Sequence, residues 1–322
     1  MQQITGKTKL LGIIGDPVEH SLSPVMHNAA IAHLGLDYIY VPFPVQQGNL
    51  AEALAGFSAV DLQGFSITIP HKQEIIPLLS EISDDAANIG AVNTVWRTKS
   101  GWKGTNTDAA GFIAPLKAID CDWSKTTPVI LGNGGAARAV IAGLTNLGCA
   151  EINVVGRNPD KLAKFYKSWS HAPKITSLLK IHNWDSLSSL IPAADLLVNT
   201  TPIGMSPKID ASPVSANLMQ KLKRNAIAYD LIYTPNPTQF LKLAQEQGAT
   251  TLDGLEMLVQ QGVEALEIWL QQPVPVDVMR DSLKEYLGTY PTIDLAIIAD
   301  TRNQHFALAF LIILLFKITG KP

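Results

Sequence analysis

Residues 131–137, Leu-Gly-Asn-Gly-Gly-Ala-Ala, follow the apolar run Pro128–Leu131 and open a helix-like segment. This order predicts a buried strand, a tight turn and a helix. Gly132 permits the turn, Gly134 lets the backbone approach a pyrophosphate, and Ala137 keeps helix and strand close. Free N–H groups in the first helical turn then bind the phosphates. We therefore expect a dinucleotide-binding turn made by Gly132, Asn133, Gly134, Gly135, Ala136 and Ala137.

The following strand distinguishes a dinucleotide site from an ordinary strand-to-helix turn. Strand-like residues 151–155 lead into Gly156-Arg157-Asn158 and a helix-like segment at 160–169, which is the spacing of a βαβ unit. At this strand end a site for NAD offers an acidic residue, whereas an arginine suits the 2′-phosphate of NADP. Arg157, with Lys161 one helical turn later, therefore predicts an NADP(H) site bordered by Gly156 and Asn158. Solvated basic residues at a helix start remain the alternative, although a cation there opposes the helix dipole.

The composition predicts a soluble enzyme of two domains: 322 residues, 47% hydrophobic, 16% charged, with a formal net charge of −3. Long basic runs are absent, which argues against nucleic acid as a partner. Cys121 and Cys149 are too few for a disulfide framework, and no His-Glu-x-x-His pattern occurs, so we expect no metal. Residues 1–9 lack the apolar segment of a secretory signal, which predicts a cytoplasmic protein whose main body contacts no membrane.

Strand-like and helix-like segments alternate, which predicts the α/β class with two lobes and largely parallel sheets. Residues 1–108 are expected to form an α/β substrate domain, and residues 109–254 a Rossmann-like domain. Residues 255–288 predict two helices that return to the first lobe. Residues 289–322 form an atypical tail with an apolar run of 11 residues, Phe306–Phe316, which is shorter than the roughly 20 residues of a membrane-spanning helix.

Two residues of the first lobe are candidates for proton transfer. Lys72 follows a strand and Pro70, at a predicted helix start, and Asp108 ends the polar segment Gly104-Thr-Asn-Thr-Asp. An alcohol that loses a hydride must also lose its hydroxyl proton, so a group that exchanges this proton is needed within hydrogen-bond reach. In the reductive direction an ammonium polarises the ketone and donates the proton. A solvated lysine and a helix N-cap are the alternatives from spacing alone.

A series of motifs in a fixed order extends over residues 10–287: Ser21–Pro24, Ile67–Lys72, Gly90–Val95, Gly104–Gly111, Gly132–Arg138, Asn199–Met205, Asp230–Pro235 and Asp253–Gln261. Together they resemble the shikimate dehydrogenase family. The resemblance implies reversible reduction of 3-dehydroshikimate to shikimate by NADPH, in the pathway to aromatic amino acids. It also implies that Lys72 exchanges the proton at the reacting oxygen, while Asp108 orients Lys72 and binds a neighbouring hydroxyl.

The same resemblance implies the other contacts of the site. Ser21 and Ser23 are expected to hold the substrate carboxylate, and Tyr233 to close the site from the nucleotide side. Thr68, Asn93 and Gln261 are expected to bind the ring hydroxyls or the carboxylate. The remaining cofactor contacts implied are Thr200, Thr201, Met205, Leu231, Gly254 and Met257. Each has an ordinary structural alternative: Ser21 as an N-cap, Thr68 as a strand residue, Gln261 as a solvated position, and Tyr233 and the methionines as core.

The chain departs from the family pattern at two places. Gly156-Arg157-Asn158 replaces the more frequent Asn-Arg-Thr, which leaves the strength of the NADP preference open, and the tail 289–322 lies beyond the family's usual end. Two other functions also stay open at this point: a quinate/shikimate dehydrogenase that uses the same pair, and a metabolite sensor without turnover. The sequence is compatible with a monomer and with a homodimer.

Overall fold

The computed structural model describes residues 3–289. The first half of the chain builds a mixed sheet of six strands in the order β2-β1-β3-β5-β6-β4. These strands are β1 (Lys9–Gly15), β2 (Tyr38–Pro44), β3 (Gly64–Ile67), β4 (Glu81–Ile82), β5 (Thr94–Thr98) and β6 (Gly101–Thr105). β1 pairs in parallel with β2 and β3, and β4 with β6. The expectation of a largely parallel sheet is wrong for β5, which runs antiparallel to both β3 and β6. A two-residue turn joins β5 to β6 in a hairpin, which makes these two strands antiparallel.

Four helices accompany this sheet: α1 (Ser23–His33), α2 (Leu50–Ala59), α3 (Asp84–Ile89) and α4 (Asp108–Lys117). α1 and α2 cover the sheet with buried apolar positions such as Met26, Ile31 and Phe57. The prediction of a helix start at Pro70 is wrong, because residues 69–75 form turns. The carbonyl of Lys72 accepts a hydrogen bond from the amide of Val92 at 2.7 Å. Its partner is therefore a residue distant in sequence, and not the residue one helical turn later.

The second sheet is parallel at every pairing and has the order β12-β11-β10-β7-β8-β9. Its strands are β7 (Pro128–Leu131), β8 (Ile152–Gly156), β9 (Leu179–Asn183), β10 (Leu196–Asn199), β11 (Ile227–Asp230) and β12 (Thr250–Leu252). Its helices are α5 (Gly135–Leu147), α6 (Pro159–Lys167), α7 (Pro173–Leu178), α8 (Leu187–Leu190), α9 (Ala216–Met219) and α10 (Gln239–Glu246). The chain starts at the centre and winds outward in both directions, which is the doubly wound arrangement of a Rossmann-like domain.

Two further helices follow, α11 (Leu255–Leu270) and α12 (Val276–Thr289). α11 packs against α4 and also meets α1 and β5, so it returns to the first lobe as predicted. The indole Nε1 of Trp269 donates to the carbonyl of Val95 at 2.9 Å. A Cβ at Gly262 would lie 2.3 Å from Cε of Met26, so a larger residue here would require the Met26 side chain to move. The two-lobed α/β fold is therefore confirmed.

The structure also bears on membrane and metal binding. Within residues 3–289 no helix combines the length and the apolar character needed to cross a bilayer. The same residues contain no cluster of three or more metal-ligating side chains. The apolar run 306–316 and most of the tail lie outside the described residues.

Candidate active site

Lys72 and Asp108, 36 residues apart, meet at the carboxyl end of the first sheet. Lys72 lies in the turns after β3, and Asp108 is the first residue of α4. Nζ of Lys72 lies 2.5 Å from Oδ2 of Asp108, with the two side chains 23% and 13% exposed. A carboxylate in the first turn of a helix is favoured by the helix dipole. The Asp108 side chain does not cap the helix, as the alternative required, but forms an ion pair with Lys72.

Asn93 fixes the second oxygen of Asp108. Its Nδ2 donates to Oδ1 of Asp108 at 2.8 Å and to Oγ1 of Thr107 at 3.0 Å. Its Oδ1 accepts from the backbone amide of Thr107 at 2.8 Å and from the hydroxyl of Thr94 at 3.0 Å. The accepting oxygen identifies the orientation of the amide, so Nδ2 faces the carboxylate. Both oxygens of Asp108 are therefore held by donors from different parts of the first lobe.

α11 brings Gln261 to the same corner. The hydroxyl of Thr107 donates to the backbone carbonyl of Gln261 at 2.9 Å, and Oε1 of Gln261 lies 3.5 Å from Nδ2 of Asn93. Nε2 of Gln261 donates to the carbonyl of Leu258 at 2.8 Å. Thr107 belongs to this network but was not predicted as a site residue, although it lies in the polar motif that ends in Asp108.

The serines and Thr68 lie where neighbouring strands of the first sheet end. Ile14 of β1 is opposite Ile67 of β3, so the loop that carries Ser21 and the segment that carries Thr68 leave the sheet side by side. A Cβ at Gly15 would lie 2.4 Å from Cγ2 of Thr68, which shows how closely they approach. Ser23 is buried at the start of α1, and its amide donates to Oγ of Ser21 at 3.3 Å. Leu22, and not Ser21, occupies the N-cap position.

Tyr233 lies on the second lobe, in the loop that follows β11. It is half-buried, and this burial raises the pKa of the phenol. Its position places it outside the hydrogen-bonded set around Asp108, at the end of the other sheet.

The dinucleotide turn has the geometry that its glycines predict. Gly132 has a φ of +106°, and a Cβ there would lie 2.9 Å from Oγ1 of Thr200 and 3.0 Å from Cγ2 of Thr201. A Cβ at Gly134 or Gly135 would meet nothing within 4 Å, so the surface there is open. α5 begins at Gly135 without a side-chain cap. Uncapped N–H groups on an open glycine surface fit a bound pyrophosphate.

A cavity of about 500 Å³ adjoins this turn. Its lining combines Asn133, Gly134 and Gly135 with three cations, Arg138, Lys161 and Lys164. Gln73, directly after Lys72, lines it from the first lobe. The positive charge and the open helix start suit an anionic ligand with a phosphate chain. Arg138, which the sequence analysis did not include as a site residue, is buried and donates to the carbonyl of Ile89 at 3.0 Å.

The residues after β8 take up distinct positions. The guanidinium carbon of Arg157 lies 4.8 Å from the centre of the Trp184 indole ring. Oδ1 of Asn158 accepts from the amide of Lys161 at 2.9 Å and thereby caps α6. The chemistry of this strand end, a guanidinium with a lysine one turn later, fits the 2′-phosphate of NADP. Gly156 lies close to Leu162, since a Cβ on residue 156 would lie 2.7 Å from Cγ of Leu162.

The loops that follow β10 and β11 form the other end of the cofactor region, and hydrogen bonds to Asp230 link them. It accepts from Nδ2 of Asn199 at 3.0 Å and from the hydroxyl of Thr238 at 2.7 Å. Burial raises the pKa of this carboxyl to about 6. A Cβ at Gly254 would lie only 2.0 Å from the carbonyl oxygen of Leu231, so the start of α11 abuts this loop.

The remaining predicted contacts of this region differ in exposure. The hydroxyl of Thr200 donates to the carbonyl of Leu131 at 2.8 Å, and that of Thr201 donates to Oδ1 of Asn199 at 2.7 Å. Met205 is 47% exposed, which leaves it open to a ligand. Met257 packs against the hydrophobic core of the second lobe, which agrees with the structural alternative that it is a core residue.

Two parts of this chain match models of known protein families. The family model "Shikimate dehydrogenase substrate binding domain" matches residues 13–95, and "Shikimate 5'-dehydrogenase C-terminal domain" matches residues 254–284. A shikimate dehydrogenase (NADP(+)) of Gloeothece citriformis is 62% identical over 288 residues, which cover 89% of this chain and all of that protein. This chain belongs to the shikimate dehydrogenase family. The family resemblance inferred from its motifs is thus confirmed.

Solved structures of shikimate dehydrogenases agree with this assignment. One, in complex with NADP+, is 38% identical with a TM-score of 0.81 and matches over 88% of this chain and 97% of that chain. Another, from Listeria monocytogenes in complex with shikimate and NAD, is 35% identical with a TM-score of 0.79, over 88% of this chain and 99% of that chain. The shikimate dehydrogenase fold therefore extends over both sheets.

Proposed function

We propose that this chain catalyses the reversible NADPH-dependent reduction of 3-dehydroshikimate to shikimate, a step toward the aromatic amino acids. The observation that carries the proposal is the Lys72–Asp108 pair, which Asn93 holds at the carboxyl end of the first sheet. In this proposal residues 1–108 bind and convert the substrate, residues 109–254 bind the cofactor, and residues 255–288 pack on the first domain.

The reaction needs a hydride at the carbonyl carbon and a proton at the carbonyl oxygen. The turn that contains Gly132 and Gly134 would hold NADPH, which would supply the hydride. The Lys72 ammonium donates a hydrogen bond to the carbonyl oxygen and then its proton as the alkoxide forms. In the oxidative direction the neutral amine accepts this proton. Both directions use the same atom, Nζ, so the pair serves a reversible reaction.

Asp108 orients the lysine and contributes to substrate binding. Oδ2 holds Nζ of Lys72 at 2.5 Å, while Oδ1 receives Nδ2 of Asn93. A carboxylate offers about four lone-pair sites, so acceptor capacity remains for a substrate hydroxyl beside the reacting carbon. The amide of Asn93 gives Oδ1 a hydrogen-bond donor without adding a second cation.

Neutral donors account for the rest of the proposed substrate site. Ser21 and Ser23, on the loop and helix start beside Thr68, supply hydroxyls for the substrate carboxylate. Gln261, with Asn93, binds the ring hydroxyls, and Tyr233 approaches from the second lobe. Every group in this proposal comes from one chain, so it holds equally for a monomer and for a homodimer.

Steady-state assays test the proposal. Reduction of NADP+ is followed by near-ultraviolet absorbance with shikimate and, separately, with quinate. We expect turnover with shikimate, a loss of at least about 10²-fold in kcat for Lys72→Ala, and little change for the exposed Lys125→Ala. Folded wild-type protein that binds shikimate without turnover would refute the proposal in favour of a sensor. Equal turnover with quinate would extend the substrate class to both acids.

A further inference from the structure

We propose that Trp184 is a positioning residue for NADP(H) selectivity, because its indole ring holds the guanidinium of Arg157 at the 2′-phosphate subsite. The inference rests on the proposed function, since it assumes that the strand end after β8 receives the cofactor's adenosine. It assigns a role to a side chain that none of the sequence motifs includes.

The sheet explains why these two residues meet. β8 and β9 are parallel neighbours, and their last residues, Gly156 and Asn183, are directly opposite each other. Arg157 and Trp184 are the next residues of the two strands, so they leave the sheet side by side. The guanidinium carbon lies 4.8 Å from the indole centre, within the roughly 6 Å over which a cation is attracted to an aromatic face.

The stacking positions the arginine without neutralising it. Within residues 3–289 the arginines that form ion pairs are Arg97 and Arg280. Arg157 has a neutral aromatic partner instead, so its full positive charge remains available to a phosphate. An exposed arginine samples many rotamers and must lose that freedom when it binds a ligand, and the indole face reduces this loss in advance.

The residues that flank Arg157, Gly156 and Asn158, determine how much phosphate binding at this strand end depends on the guanidinium. Gly156 has no side chain to offer and cannot acquire one without moving Leu162. Asn158 uses its Oδ1 to cap the amide of Lys161. The other donors at this strand end are Nδ2 of Asn158 and Nζ of Lys161, and the guanidinium differs from both because it can bind a phosphate through two parallel N–H groups. The residue that fixes the guanidinium therefore influences how well NADP is distinguished from NAD.

Calorimetric titration of the full chain tests the inference without turnover. The probes are adenosine 2′,5′-bisphosphate and AMP, which lacks the 2′-phosphate. For Trp184→Leu we expect about two- to fivefold weaker binding of the bisphosphate, the size of an exposed cation–π contact, and unchanged binding of AMP. Trp184→Phe should retain most of the affinity because it keeps an aromatic face. Trp96→Leu, which removes the Lys103–Trp96 contact at 5.8 Å on the first lobe, is the matched control and should bind both probes as wild type does.

A double-mutant cycle shows whether Trp184 acts through Arg157. In an Arg157→Ala background the effect of Trp184→Leu on bisphosphate binding should disappear. An effect that persists there, equal weakening of both probes, or no weakening at all would overturn the inference. In kinetic assays Trp184→Leu should raise the KM for NADP+ and leave kcat with shikimate unchanged. If the wild-type protein binds the bisphosphate but does not oxidise shikimate, the proposed function alone is refuted. If Trp184→Leu turns over shikimate and its ratio of kcat/KM for NADP+ to kcat/KM for NAD+ equals that of the wild type, this inference alone is refuted.

Discussion

Glu264→Gln should stabilise the protein in a way that depends on pH. Glu264 lies on α11, one helical turn after Gln261, and is half-buried. The pKa of its carboxyl is raised from an ordinary 4.5 to about 7, and burial is the largest cause. The nearby acidic groups Asp85, Glu267 and Asp108 contribute to this rise, and Lys117 opposes it.

The sign follows from the two states of the carboxyl. Well below pH 4.5 it is neutral in the folded and the unfolded chain, so the shift costs nothing, and at pH 4.5 the cost is still small. Above about pH 7 it is charged in both, and the folded state bears the full cost of the buried charge. At about 1.4 kcal/mol for each tenfold change, the pKa values of 4.5 and about 7 set an upper limit of about 3 kcal/mol. Because the carboxylate keeps some contact with water, we expect Gln to gain about 1–2 kcal/mol at pH 8.5.

Urea unfolding of both proteins at about pH 4.5 and 8.5 measures this difference. The gain from Glu264→Gln should grow from near zero at the lower pH to its full value at the higher pH. Comparing variants at each pH cancels the effect of the other carboxylates. Glu246→Gln, at an exposed position of α10, should change stability by less than about 0.5 kcal/mol at either pH. An equal effect of Glu264→Gln at both values would refute the argument.

Three further substitutions test the packing. Gly254→Ala should cost more than about 3 kcal/mol and weaken NADP+ binding, because its Cβ would lie 2.0 Å from the carbonyl oxygen of Leu231, and urea unfolding with calorimetry measures both. Gly56→Ala, in α2 with nothing within 4 Å of the new Cβ, should stabilise by about 0.5–1 kcal/mol in urea, and a loss there would contradict the open environment. Trp269→Phe should cost about 1–3 kcal/mol in thermal unfolding because it leaves the Val95 carbonyl without its 2.9 Å donor, and a neutral result would show that water replaces the indole.

The second sheet was predictable because its central strands are buried on both faces. Every residue of Pro128–Leu131 is buried, and a short apolar run followed by glycines predicts such a strand. β9 was missed because Lys180 and His182 interrupt its apolar character, which an edge strand tolerates. The β5–β6 hairpin was missed because its turn, Lys99-Ser100, lacks the Asn-Gly or Asp-Gly pattern that indicates a hairpin.

The candidate residues of the site could be predicted from the sequence, whereas the contacts between them could not. Lys72 and Asp108 could be named from their motifs, but their 2.5 Å approach depends on how the turns after β3 meet the start of α4. The Arg157–Trp184 contact was not predictable, because the two residues are 27 positions apart in sequence and meet only through the register of β8 and β9. Contacts between strand ends can be predicted only when the strand order of the sheet is known. The residue pattern of a single sequence does not determine that order.

The charge arrangement around Asp108 explains why the site suits a substrate with both hydroxyls and a carboxylate. Lys72 and Asp108 form a pair with no net charge, and the second oxygen of Asp108 faces the neutral amide of Asn93. A neutral carbonyl or hydroxyl can therefore approach the pair without opposing a net charge. The substrate carboxylate has separate neutral donors in the hydroxyls of Ser21, on the loop after β1, and Ser23, at the start of α1. In the proposed function the substrate therefore binds in one orientation, with the reacting carbon at Lys72 and the carboxylate at Ser21 and Ser23.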